Sequence, residues 1–230
     1  MVGWRGTPMS EDGTIHLKEA SNVHVDDINK VAAQDPLWIA IAHAIQSYAQ
    51  LEQSLCHIMA YTGDIKGDVA ATIFFKIAAA SARNSILEKL IRKKFGDRFN
   101  LFWNAFFKDL RVTDQRRNEI VHWNVVNSIS FKDEHTAVVT PTLNPPNFWD
   151  RDKNTPSLGI PELVAFIAKC STYSRLCTMF FASTSGKMPL DAAKEWLDIF
   201  QQPLVYPLPE DHPLNRKPPK PDIQSQSSGP

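Results

Sequence analysis

The chain has 230 residues, 43% of them hydrophobic, which is enough for one core of ordinary domain size. Lysine plus arginine and aspartate plus glutamate number 25 each, so no global field draws the chain onto nucleic acid or an anionic membrane, which argues against a general DNA-coating protein. No apolar run approaches the ~20 residues of a membrane span, the N-terminus lacks a signal-peptide core, and Cys56, Cys170 and Cys177 lack C-x-x-C spacing; a cytoplasmic protein with buried, reduced thiols is expected.

Residues 1–34 are weakly patterned and read as a loosely ordered N-terminal arm with one helical turn near Asp26–Val31. The first long helix opens at Asp35-Pro36, a capping acid followed by proline at the first helical position. Leu37, Ile41, Ala44/Ile45, Tyr48, Leu51, Leu55 and Ile58/Met59 form its inward stripe, and Thr62-Gly63 ends it. Glu52 interrupts that stripe. It is either an acid at the stripe's edge or a buried partner for Arg83 or Arg117.

A second helix is expected from about Asp68 to Phe95, with Val69, Ile73, Ile77, Ala80, Asn84, Leu87 and Ile91 inward. Arg83 and Asn84 break its apolar character at mid-length. Its end carries Lys89, Arg92, Lys93 and Lys94, which suit the negative end of the helix dipole as a solvated cap; contact with RNA is the sharper alternative.

The third helix, Asp97 to His122 or Trp123, places Phe99, Trp103, Phe106, Leu110, Thr113, Arg117 and Ile120/Val121 on one stripe. Arg117 therefore falls on the buried face, where a guanidinium is costly unless paired. Asn118 and His122, four apart, stack one turn above the other at its edge.

Beyond it the period changes. Val125–Phe131 and Thr136–Thr140 read as a β-hairpin, followed by a proline-rich loop at Pro141–Pro156. Gly159-Ile160-Pro161 opens a fourth helix, with Cys170 and Cys177 as packing residues. A short fifth helix runs from Pro189 to near Phe200. From Gln202 the Pro/Ser/Gln-rich chain reads as a disordered tail, 202–230. The expected fold is all-α: an up-down bundle of four to five helices over residues 35–201, with a small hairpin after the third long helix.

Familiar site chemistries are missing from this pattern. There is no Glu-x-x-His pair, no H-E-x-x-H, no glycine-rich phosphate loop and no G-x-S-x-G. His43 and His57 are fourteen apart on the first helix, too far to share a metal. No metal or cofactor is expected.

Arg117-Asn118-Glu119-Ile120-Val121-His122 resembles the R-polar-x3-H signature of the HEPN superfamily, at the end of an inner helix of an α-bundle. The resemblance spans roughly Asp35 to Ser185 and is nearest to bacterial members with RN-x-x-x-H followed by tryptophan and a short hairpin. It implies a metal-independent endoribonuclease acting as a homodimer, often in a toxin–antitoxin or phage-defence setting with an antitoxin protein as partner.

The chemistry fits those residue types. Histidine transfers protons near neutrality, and arginine stays charged and grips phosphate oxygens in a fork. A twofold dimer would face two His122 and two Arg117 across one site. Asn118 would hold the imidazole or the phosphate, with Glu52, Arg83 and Arg116 supporting and Glu52 orienting Arg117. The alternative is a non-catalytic HEPN-like module that binds a partner protein or nucleotide, with Arg117 and His122 as part of a polar network at a dimer seam.

Overall fold

The computed structural model describes residues 14–16, 36–133, 136–146 and 157–216. The described chain is mostly helical, with a small antiparallel hairpin. In order it comprises β1 (Thr14–His16), α1 (Pro36–Gly63), α2 (Gly67–Lys76), α3 (Ala80–Phe95), α4 (Asn100–His122), β2 (Asn124–Asp133), β3 (Thr136–Asn144), α5 (Ile160–Thr184) and α6 (Leu190–Ile199). A 3-10 turn, Pro213–Asn215, follows. The turn expected near Asp26–Val31, the cap at Asp35, most of the proline-rich loop and the tail beyond Arg216 lie outside the described residues.

α1 is the central post. It runs parallel to α5, since Tyr48 stacks on Phe166 near one end and Tyr61 meets Phe181 edge-on near the other. It also runs parallel to α3, with Glu52 against Arg83 and Tyr61 against Lys94. α4 runs antiparallel to α5, pairing Asp109 with Tyr173 at one level and Trp103 with Phe180 at another. The aromatic spacing of the sequence pays out here as a cluster. Phe180 is met edge-to-face by Phe95, Phe99, Trp103 and Phe200, with centroids 4.9–5.4 Å apart. That geometry sets the positive ring edge against the negative face.

The expected helix from Asp68 to Phe95 is two helices. Ile77 and Ala79 take extended backbone (ψ 105° and 115°) between α2 and α3. No proline or glycine lies there, so local propensity is not the cause; packing both segments on α1 overrides the helix-forming alanines. The break also changes which side faces inward. Ala70 and Phe74 are buried in α2, and Val69 and Ile73 are exposed, whereas Asn84, Leu87 and Ile91 of α3 are buried as the period expects.

The hairpin pairs β2 with β3, and β1 adds a third strand in the order β1-β3-β2. The arm read as loosely ordered thus supplies three paired residues, Thr14–His16. β3 continues through Pro141 to Asn144, into the stretch expected to be loop. Among the described residues Pro141 lies past those paired with β1, on an edge of β3 where a missing N–H is tolerated. Reciprocal backbone bonds between Leu143 and Leu158, 2.8 and 2.9 Å, close the loop that leads into α5.

The expected tail from Gln202 is also corrected. Residues 202–216 lie on the helices: Leu204, Tyr206, Leu208 and Leu214 pack against the core. Arg216 pairs with Glu195 at 2.6 Å. Composition misled because four apolar side chains spaced along a proline-rich segment suffice to hold it with no regular structure beyond one 3-10 turn. Cys56, Cys170 and Cys177 are all free and buried, as packing residues should be. No helix among the described residues is long and apolar enough to cross a membrane.

Candidate functional site

The C-terminal half of α4 meets α1 and α3 through a set of polar side chains inside an otherwise apolar seam. Tyr48 of α1 donates its hydroxyl to Asp114 Oδ1 at 2.8 Å, and Asn84 of α3 donates Nδ2 to Asp114 Oδ2 at 3.0 Å. Arg83 pairs with Glu52, both side chains largely shielded, and its guanidinium lies 4.9 Å from the Phe74 ring centroid. Three helices are thus pinned by one carboxylate and one ion pair.

Burial raises the Asp114 carboxyl above its ordinary 3.8, reinforced by Glu52 and opposed by the bonds from Tyr48 and Asn84 and by the Arg83 charge. Burial together with Asp114 pushes the Tyr48 phenol far up, so it remains a donor. Sequence reasoning left Tyr48, Asn84 and Asp114 without a role. A signal existed: Tyr48 and Glu52 are one turn apart on α1, and Asp114 lies one turn before Arg117 on α4.

Arg117 is half-buried, not sunk in the middle of the buried face. It lies on the line from Thr113 to Ile120, both buried, but its guanidinium stands 5.6 Å from the Tyr48 ring centroid and Nη1 donates to Asn118 Oδ1 at 3.1 Å. Glu52 does not orient it, because Arg83 occupies Glu52. Among the described residues Arg117 has no carboxylate partner. Its charge is instead eased by an aromatic face and a side-chain amide.

Asn118 and His122 are exposed, one turn apart, and His122 is the last residue of α4. At 3.6 residues per turn, Arg117 and His122 diverge by about 140° around the helix. They therefore do not share a face; Asn118, bonded to Arg117 and stacked below His122, connects the two. Arg116 is not drawn into this group and pairs with Glu119 at 2.9 Å on the surface. No group of three or more His, Cys, Asp or Glu among the described residues is arranged to hold a metal ion. Compared with protein-family models, curated proteins and solved structures, the chain matches none.

Proposed function

We propose that this protein is a HEPN-type, metal-independent endoribonuclease of the cytoplasm, an up-down helical bundle whose Arg117, Asn118 and His122 form a composite site with those of a second copy. The observation that carries the reading is Arg117. A half-buried guanidinium that no carboxylate neutralises, held on a ring and steadied by Asn118, keeps donors available for a phosphate fork. His122, exposed at the same helix end, is placed for proton transfer at a 2′-hydroxyl or leaving 5′-oxygen.

A single chain offers one such histidine, and cleavage with separate acid and base needs two. Surface composition supports a partner copy. Trp38, Ala42, Ile45 and Ala49 form an exposed apolar stripe on α1 at the 4-3-4 spacing of a helix seam. Val112 and Val121 are exposed on α4. Pairing through α1 and α4 would bring the two Arg-Asn-His groups toward one axis. A toxin held by an antitoxin protein, or a phage-defence nuclease, is the setting this activity fits.

The second reading, a non-catalytic module that binds a partner protein or nucleotide, has one observation in its favour. Among the described residues His122 has no hydrogen-bond partner to fix its tautomer. Cleavage of single-stranded RNA in EDTA separates the two. The nuclease reading expects cleavage, a dimer in light scattering, and about 10²–10⁴-fold loss in His122→Ala and in Arg117→Ala. A folded, dimeric His122→Ala protein that cuts as fast as the parent would overturn it, and RNA binding without cleavage would favour the module.

A further inference from the structure

A cavity of about 490 Å³ opens where the C-terminal ends of α1 and α3 meet α5, well away from Arg117. Tyr61, at this end of α1, is thirteen residues beyond Tyr48, about 20 Å along the helix. The cavity is floored by Ile58, Ile65, Cys177 and Phe181 and walled by Tyr61. Its size is within the usual range for small-molecule sites, about 300–1,000 Å³, and its floor is apolar in the way such sites are.

The rim has the opposite character. Lys94, from the basic end of α3, donates Nζ to the Tyr61 carbonyl at 2.6 Å and lies 4.1 Å from the Tyr61 ring centroid. The carbonyl is one of the last of α1, which has no further helical N–H to accept. Lys187 does not itself line the cavity but stands 4.7 Å from the centroid of Phe181, which does, and the Tyr61 and Phe181 rings meet edge-on at 5.0 Å. Two ammonium groups are therefore seated on the two aromatic side chains that line the cavity. Neither has a carboxylate partner among the described residues. Arg92, two residues before Lys94, pairs with Glu88 instead. His57 adds an imidazole to the rim, and Asp64 is the one acid that lines it.

From this juxtaposition we infer that the cavity binds a small amphipathic acid, with its apolar body on the floor and its anionic head at Lys94. A neutral apolar ligand would leave the Lys94 ammonium without an anionic partner, and a cationic one would be repelled by it. A nucleic-acid strand would set charged phosphates over an apolar floor. The inference is independent of the nuclease reading, since the cavity shares no residue with the Arg117 site.

The test is titration calorimetry on the full chain, with decanoate as the aliphatic acid and naphthoate as the aromatic one, both below their aggregation concentrations. Decanol and decyltrimethylammonium are the neutral and cationic controls. Expected is saturable binding of at least one acid, one per chain, about tenfold tighter than decanol, the scale of one charge-assisted hydrogen bond. Lys94→Met should erase that advantage while leaving decanol binding in place. Thr178→Trp should block the mouth and abolish binding, and His57→Trp does the same from the α1 side should the first variant fail to fold. The inference is overturned if neither acid saturates, if decyltrimethylammonium binds as tightly as decanoate, or if the variants bind the acids as the parent does.

Discussion

The Tyr48 hydroxyl donates to the Asp114 carboxylate at 2.8 Å, joining the middle of α1 to the last third of α4. The same side chain offers its ring to Arg117, so one residue both anchors the shielded acid and supports the half-buried cation. Tyr48→Phe separates the two roles. It should destabilise the fold by about 1–3 kcal/mol, because the carboxylate loses a donor in a shielded place, and should leave the Arg117 platform intact. Urea unfolding checks the first part; a variant as stable as the parent would show that water replaces the hydroxyl.

Asp114 makes stability depend on pH with a definite sign. Its folded-state carboxyl holds a proton above 3.8, the ordinary value that applies in the unfolded chain. Between these two values the native state binds more protons than the unfolded one, so this group's contribution falls as pH rises. The unfolding free energy of the parent minus that of Asp114→Asn should decrease as pH rises above 3.8 and level off once the raised folded-state value is passed. Urea titrations at a series of pH values measure it, and a difference that grows with pH would mean that the bonds from Tyr48 and Asn84 outweigh burial.

The Arg83–Glu52 pair, with side chains only 12% and 17% exposed, should tolerate joint removal better than single removal. Arg83→Met strands a shielded carboxylate and is expected to cost about 3 kcal/mol. Adding Glu52→Leu should recover most of that. A double-mutant cycle in which the two losses simply add would contradict the pairing.

Arg117→Met tests whether that arginine is kept for stability or for chemistry. Methionine keeps the apolar stem on the α4 stripe and removes a half-buried charge that no acid neutralises. The thermal midpoint should equal or exceed that of the parent while RNA cleavage is lost. A midpoint several degrees lower would assign the guanidinium a structural role over Tyr48.

Truncation at Gln202 should lower the thermal midpoint by more than about 5 °C, since it strips Leu204, Tyr206, Leu208 and Leu214 from the core. It also uncovers Lys169, which pairs with Asp109 at 2.6 Å and lies 5.2 Å from the Tyr206 ring centroid. An unchanged midpoint would mean that this segment contributes no net packing.

Helix positions were legible wherever one period ran uninterrupted. Apart from Arg117 and Val121, the α4 stripe is buried as its spacing implies, and Pro36, Gly63 and Gly159 mark helix ends as such residues do. The break at Ile77–Ala79 was not legible, because alanine favours helix and only docking on α1 opposes it. β1 was hidden for a related reason: three residues carry no alternation worth reading, and their partner lies more than a hundred positions away. In the candidate site, the residue types that stand out singly, Arg117, His122 and Glu52, were visible. Arg83 was visible too, as one of two partners offered for Glu52, whereas Tyr48, Asn84 and Asp114 were not, since they come together only through the packing of three helices.

The segment carrying Tyr206 has a consequence for the protein's birth on the ribosome. Tyr206 packs edge-on against Tyr173, with centroids 5.7 Å apart, and its ring shares Lys169 with that of Tyr173. α5 is translated about twenty residues before this cover, at a rate of about 5–20 residues per second, and the exit tunnel shields the late segment longer still. For that interval the face of α5 bearing Lys169 and Tyr173 is finished but unroofed. The nascent chain therefore holds α5 with this face open until α6 and the segment carrying Tyr206 have emerged.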